Sequence, residues 1–175
     1  MTLAATAFEL YLVRHGVAAL RGPDYPDDAA RPLTPEGAER FRLVVQGLRA
    51  LGVSVDVVLA SPYERARETA EILCAGLRPK PKLLLTPALE PGRKPAEAFA
   101  AIEQAAASGR RSSRFALVGH EPDLGELAAR LLGAKGAVEF KKGAVCRIDV
   151  ARAMPTGPGT LRWFLPPRAL RGLAG

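Results

Sequence analysis

The chain alternates short apolar runs with longer stretches in which apolar residues recur every three to four positions. Residues 8–13 are short, apolar and aromatic-rich, which predicts a buried strand. Thr34-Pro35-Glu36 predicts a helix start: a hydroxyl cap, proline at the first helical position and an acid in the first turn. Phe41, Val44, Val45, Leu48 and Leu51 form its apolar face, and Gly52 closes it. Val55–Ala60 predicts a second strand. It runs into Ser61-Pro62-Tyr63-Glu64, a capping-box pattern with Ser61 as cap of a helix that fades near Gly76. Lys82–Thr86 predicts a third strand, residues 88–92 a loop, and Pro95 to about Ala107 an alanine-rich helix. A basic turn at 109–113 leads into a fourth strand at 115–119. Pro122 and Asp123 start another helix, with Leu124, Leu127, Leu131 and Leu132 as its apolar face and Gly133 as its stop. Residues 143–150 and 160–165 predict two strands joined by the turn at 155–159, which suits an antiparallel hairpin at a sheet edge. Packing and fraying are equally open for the tail from Pro166.

Strands alternating with helices predict an α/β protein, a three-layer α/β/α sandwich with a mostly parallel central sheet and an antiparallel edge hairpin. The 175 residues show no internal repeat and no compositional break, so residues 1–175 are expected to form a single domain.

Composition changes this picture little. No apolar run approaches the roughly 20 residues needed to span a bilayer. The first residues lack a basic n-region, and Glu9 breaks their apolar stretch, so a cytoplasmic location is expected. Cys74 and Cys146 have no metal-ligand spacing and sit in apolar surroundings, which predicts buried thiols, with a disulfide left open. The net charge of +7 favours anionic partners. Nineteen of the 25 basic residues are arginine, but they are scattered and no aromatic-interleaved basic stretch offers a stacking platform. Nucleic acid is therefore not the expected partner. Oligomeric state is silent in the sequence.

The chemistry centres on the two histidines. Leu10–Val13 ends in Arg14-His15-Gly16, and Phe115–Gly119 ends in His120. Two strands that each deliver a histidine at the carboxyl end suggest one site at one sheet edge, where open α/β sheets place their chemistry. Arg65, in the first turn of the helix after the second strand, joins Arg14 there. Helix N-termini and two guanidiniums with paired donors make an anion site suited to a phosphate dianion. Neighbouring arginines should hold His15 neutral and so fit to attack phosphorus. Gly16 leaves room for close approach, a main-chain acceptor should fix the other ring nitrogen, and His120 should steady the transferring group. The long polar connection from 17 to about 33 would shape the entrance, and a loop of that length is usually functional. Arg31, at its end, is either a surface residue or a group at the pocket mouth that steers an anionic substrate.

Arg14-His15-Gly16, Ser61-Pro62-Tyr63-Glu64-Arg65-Ala66-Arg67-Glu68-Thr69 and Gly119-His120, in this order, resemble the histidine phosphatase superfamily, also called the phosphoglycerate mutase-like fold. Arg31-Pro32-Leu33-Thr34-Pro35-Glu36-Gly37 and the compact length are most similar to its SixA-type phosphohistidine phosphatase branch. The resemblance spans roughly residues 8–165. It implies a phosphohistidine intermediate on His15, formed and hydrolysed without a metal or other cofactor, and a phosphate pocket of Arg14, Arg65 and His120. Many such relatives place a proton-donating acid on a loop after the third strand, where Glu90 stands here. SixA-like members often lack that acid, because a phosphoramidate leaving group needs less help. Glu90 is thus either the acid or an ordinary loop carboxylate. The leading expectation is a phosphatase acting on a phosphohistidine-bearing protein. Small phosphate monoesters, such as sugar or nucleotide phosphates, are the alternative substrates, and a phosphate-binding module without turnover is the non-enzyme alternative.

Overall fold

The computed structural model describes residues 8–108, 112–136, 138–151 and 158–175. Its strands are β1 (Phe8–Arg14), β2 (Val57–Ala60), β3 (Lys82–Leu85), β4 (Arg114–Gly119), β5 (Val145–Val150) and β6 (Thr160–Leu165). Its helices are α1 (Pro35–Ala50), α2 (Glu64–Gly76), α3 (Pro95–Ala107), α4 (Asp123–Leu132) and α5 (Pro167–Gly172). The strands form one sheet in the order β3-β2-β4-β1-β5-β6. Pairings among β1 to β4 are parallel, and β5 and β6 add antiparallel to one side. This is the expected three-layer α/β arrangement with an antiparallel edge hairpin. Residues 155–157 of the hairpin turn at 155–159 and residues 109–111 of the basic turn at 109–113 lie outside the described residues.

Both faces of the sheet are buried, which is why Leu10–Val13 of β1, β2, and Phe115–Val118 of β4 read as continuous apolar runs instead of alternating ones. Leu10, Leu12, Phe115 and Leu117 face α3 and α4, where Ile102, Leu124 and Leu127 meet them. Tyr11, Val13, Ala116 and Val118 face the other way, toward Phe41, Val44, Leu48, Leu73 and Leu170 of α1, α2 and α5. Cys146 belongs to the first core and Cys74 to the second, and both are free. Burial pushes both thiols up, to about 12 and about 11, as expected of small apolar fillers.

Several boundaries differ from expectation for identifiable reasons. Thr34 caps α1 as predicted, accepting the Gly37 N–H at 2.9 Å. Ser61 does not cap α2; that helix starts at Glu64 behind Tyr63, and the Ser61 hydroxyl accepts the Tyr63 N–H in a local turn. β2 begins at Val57 because Asp56 turns its carboxylate onto the N–H groups of Ser113 and Arg114. β3 stops at Leu85, since Thr86 caps a single 3₁₀ turn over Pro87–Leu89. The tail packs: α5 lies on α1 with Leu170 fully buried. Among the described residues no helix is long and apolar enough to cross a membrane.

Candidate active site

Register decides the meeting of the two histidines. In the β1–β4 pair Arg14 stands opposite Gly119, so His15 and His120 leave the sheet side by side at its carboxyl edge. The His15 N–H donates to the Gly119 carbonyl at 3.1 Å, and the ring centroids lie 5.2 Å apart. β2 flanks β4 and brings Ser61 and the start of α2 to the same edge. Arg65, in the first turn of α2, is only 4% exposed.

The His15 ring bonds through Nδ1 to the Gly16 carbonyl at 2.7 Å. A carbonyl only accepts, so Nδ1 carries the proton and Nε2 keeps its lone pair. Both polar groups of Gly16 are thereby engaged, because its N–H donates to Thr69 Oγ1 at 3.0 Å. Gly16 thereby holds the His15 ring and is itself held by α2. Thr69 completes the tie by donating to the Arg65 carbonyl at 2.6 Å.

His120 Nε2 lies 2.8 Å from Ser61 Oγ, which already accepts from Tyr63. In the tautomer in which Ser61 donates its proton to Nε2, Nδ1 of His120 is an N–H donor. That Nδ1 is buried and has no partner among the described residues. Arg14 Nε and Arg65 Nε are in the same condition. Buried polar nitrogens are normally paired. Three such nitrogens, all from residues gathered around His15, can serve an anion as donors.

Burial pushes the His15 pKa down to about 3 against the Gly16 hydrogen bond, with Arg65, Arg14 and Lys142 adding repulsion. His120 is likewise pushed to about 3, by burial and then by His15 and Arg65. Both imidazoles are therefore neutral near neutrality, as a nucleophile requires.

Asp28 was not legible as a site residue. It lies in a 3₁₀ turn over Asp28–Ala30, within the long connection that the sequence left without conformation. Its carbonyl accepts Arg65 Nη1 at 2.7 Å and its carboxylate accepts Nη2 at 2.9 Å. Burial disfavours the charge on Asp28, but hydrogen bonds from Arg65 and Arg31 outweigh it and hold the carboxyl below the usual range. Arg31 donates to Asp28 at 2.8 Å and to the Ala19 carbonyl at 2.7 Å. It thus braces the entrance loop and reaches the pocket through Asp28. The only signal for this in the sequence is an acid three residues before Arg31, which polarity alone does not separate from Asp24 or Asp27.

Arg14 is steered by the opposite wall: its Nη1 donates to the Phe140 carbonyl at 2.5 Å, and the Phe140 N–H donates to Glu121 at 3.1 Å. Glu90 lines a small cavity with His120, but its carboxylate pairs with Arg93 at 3.0 Å. A groove of about 730 Å³ runs between α1 and α2 and contains none of Arg14, His15, Arg65 or His120.

Residues 10–91 match the model of the histidine phosphatase superfamily (branch 1). The chain is 30% identical over 167 residues to phosphohistidine phosphatase SixA of Escherichia coli (strain K12), covering 93% of this chain and 96% of that protein. The chain belongs to the histidine phosphatase superfamily. An uncharacterized protein of a Picosynechococcus species is 37% identical over 172 residues, covering 90% of this chain and 99% of that one. Among solved structures, protein histidine phosphatase SixA complexed with tungstate superposes with a TM-score of 0.80 at 27% identity, over 93% of this chain and 99% of the other. A phosphoglycerate mutase of Bacillus anthracis reaches 0.73 at 16% identity, over 98% of each chain, a likeness of fold alone. The fold is phosphoglycerate mutase-like and the chain is of the SixA type within its superfamily, which supports a phosphatase activity.

Proposed function

We propose that the protein is a phosphohistidine phosphatase that works through a phosphoryl group carried on His15 and acts on phosphohistidine borne by a protein. The observation that carries this is the ring of buried, unpartnered donors, Arg14 Nε, Arg65 Nε and His120 Nδ1, around an imidazole whose Nδ1 is already committed. Similarity to a protein named phosphohistidine phosphatase supports the substrate class.

In the first step the lone pair of His15 Nε2 attacks phosphorus while the P–N bond to the substrate imidazole breaks. The departing ring keeps that electron pair and, with its other nitrogen protonated, leaves neutral. His15 is now a phosphoimidazolium, and the Gly16 carbonyl steadies its Nδ1–H. Water then attacks phosphorus, the bond to Nε2 breaks, and dihydrogen phosphate leaves neutral His15 behind. The three donors serve the oxygens on which charge is concentrated in both steps. No step needs a strong acid, since each leaving group is a neutral imidazole.

Glu90 favours a second reading. Its place on a cavity shared with His120 would put an acid near an alkoxide leaving group, as hydrolysis of small phosphate monoesters requires. The test is turnover by wild type and His15→Ala of a phosphohistidine protein and of a panel of sugar and nucleotide monophosphates. The proposal expects turnover by wild type alone, with preference for the phosphohistidine protein, and phosphate binding retained in the variant. Preference for a monoester would transfer the proposal to the second reading. Undiminished turnover by His15→Ala would sink the mechanism, and binding without turnover in wild type would leave a phosphate-binding module.

A further inference from the structure

Beside the site lies a groove of about 320 Å³ between α1, α5 and the turn before β5. Its charged walls are Arg40, Lys141, Lys142, Arg168 and Arg171, and no acidic residue lines it. Arg40 shares Glu36 one turn away, at 2.5 Å and outside the lining. No ion pair engages the other four among the described residues. Other grooves of the described structure mix the signs: Arg42 and Arg49 stand with Glu68 and Glu71 between α1 and α2, and Lys80, Lys82 and Arg114 stand with Asp56 at the opposite edge of the sheet. This groove carries the positive sign alone.

It is also tied to the site. Gly16 and Val17, which follow His15 directly, line it. Lys141 and Lys142 precede Gly143, whose N–H meets the carbonyls of Arg14 and His15, each at 3.1 Å. The charge of Lys142 is felt at His15. A ligand whose phosphoryl group reaches His15 can thus lay its neighbouring residues along five cations.

The geometry points to this groove as a second anion site that takes a carboxylate-rich segment of the protein whose phosphohistidine enters the pocket. This rests on the reading of a protein substrate given above. Unpaired like charges attract a segment of opposite sign, raise its encounter rate and reject basic partners. Phe41 is the one aromatic ring in the lining and is 1% exposed, so no surface is offered for stacking bases, and a polypeptide fits better than a single-stranded nucleic acid.

The test compares wild type with a Lys141→Glu/Arg168→Glu double variant, which leaves Arg14, His15, Arg65, His120 and Lys142 in place. Three substrates are used: free phosphohistidine, a phosphohistidine peptide flanked by glutamates, and the same peptide flanked by serines. In low salt wild type should turn over the glutamate peptide at least 10-fold more efficiently in kcat/KM than the serine peptide. The variant should lose that preference while its rate on free phosphohistidine stays within twofold. Equal rates of wild type on both peptides, or a preference that persists in the variant, would overturn the inference. If none of the three is turned over, the substrate reading fails, and the groove is judged by anisotropy of the unphosphorylated glutamate peptide. Binding lost in the double variant upholds the groove. Equal binding by both proteins, or displacement by an equally charged oligonucleotide at lower concentration, refutes it.

Discussion

Arg65→Lys conserves charge and still should cost the enzyme most of its rate. The guanidinium spends Nη1 and Nη2 on Asp28, at 2.7 and 2.9 Å, and keeps a buried Nε with no partner among the described residues. One planar group thereby anchors the entrance loop and keeps a donor for the anion. A lysine ammonium is a single point with no fixed fork: engaged with Asp28 it leaves the phosphoryl oxygens, and engaged with them it frees the loop. Losing one hydrogen bond to a charged group costs ~1.5–3 kcal/mol. If the loss falls on the transition state, kcat/KM should drop about 10- to 150-fold. The assay is steady-state kinetics on the phosphohistidine protein, with a thermal melt alongside to separate misfolding from catalysis. A variant that melts like wild type and keeps kcat/KM within threefold would refute the idea that the fork matters.

Two further outcomes follow from the same geometry. His15 and His120 have folded pKa values near 3, against about 6.5 unfolded, so both states are neutral above 6.5 and the full stability is present there. Below 6.5 the unfolded chain takes up protons that the folded one refuses, and stability falls by up to ~1.4 kcal/mol per pH unit for each histidine until about pH 3. Urea unfolding at pH 7, 6 and 5 should show this slope for wild type and lose it in His15→Gln/His120→Gln; equal slopes would contradict the burial argument. Gly47→Ala places a methyl 2.0 Å from the Leu170 carbonyl oxygen, where α5 lies against α1. Overpacking of that kind costs about 1–3 kcal/mol, so the melting temperature should fall while kcat/KM holds; an unchanged melt would mean that α5 is not docked as described.

Much of this architecture is written in local pattern. Buried strands read as apolar runs because both sheet faces are covered, and α1 announces itself through Thr34-Pro35-Glu36 and its 41-44-45-48 spacing. Arg14, His15, Arg65 and His120 could be singled out because chemistry at the ends of parallel strands leaves a mark in sequence: an apolar run that stops at a charged or titratable residue. Where a residue can serve two local roles, pattern misleads. Ser61-Pro62-Tyr63-Glu64 has the form of a capping box, yet the hydroxyl is drawn to His120, which lies 59 positions away in sequence.

What the sequence by itself determined was the set of groups and the edge at which they gather, since strand ends and helix starts depend on neighbours a few residues apart. Only the tertiary structure decided how those groups are held. The β1–β4 register sets the histidines abreast, Asp28 reaches across from a loop with no periodicity to orient Arg65, and Thr69 locks Gly16 to α2. It also left Arg14 Nε, Arg65 Nε and His120 Nδ1 buried without partners among the described residues, and set Lys141 and Arg168 on one groove. These are relations between distant segments, set by packing and by where each chain reversal ends, and no window along the sequence contains both members of the pair.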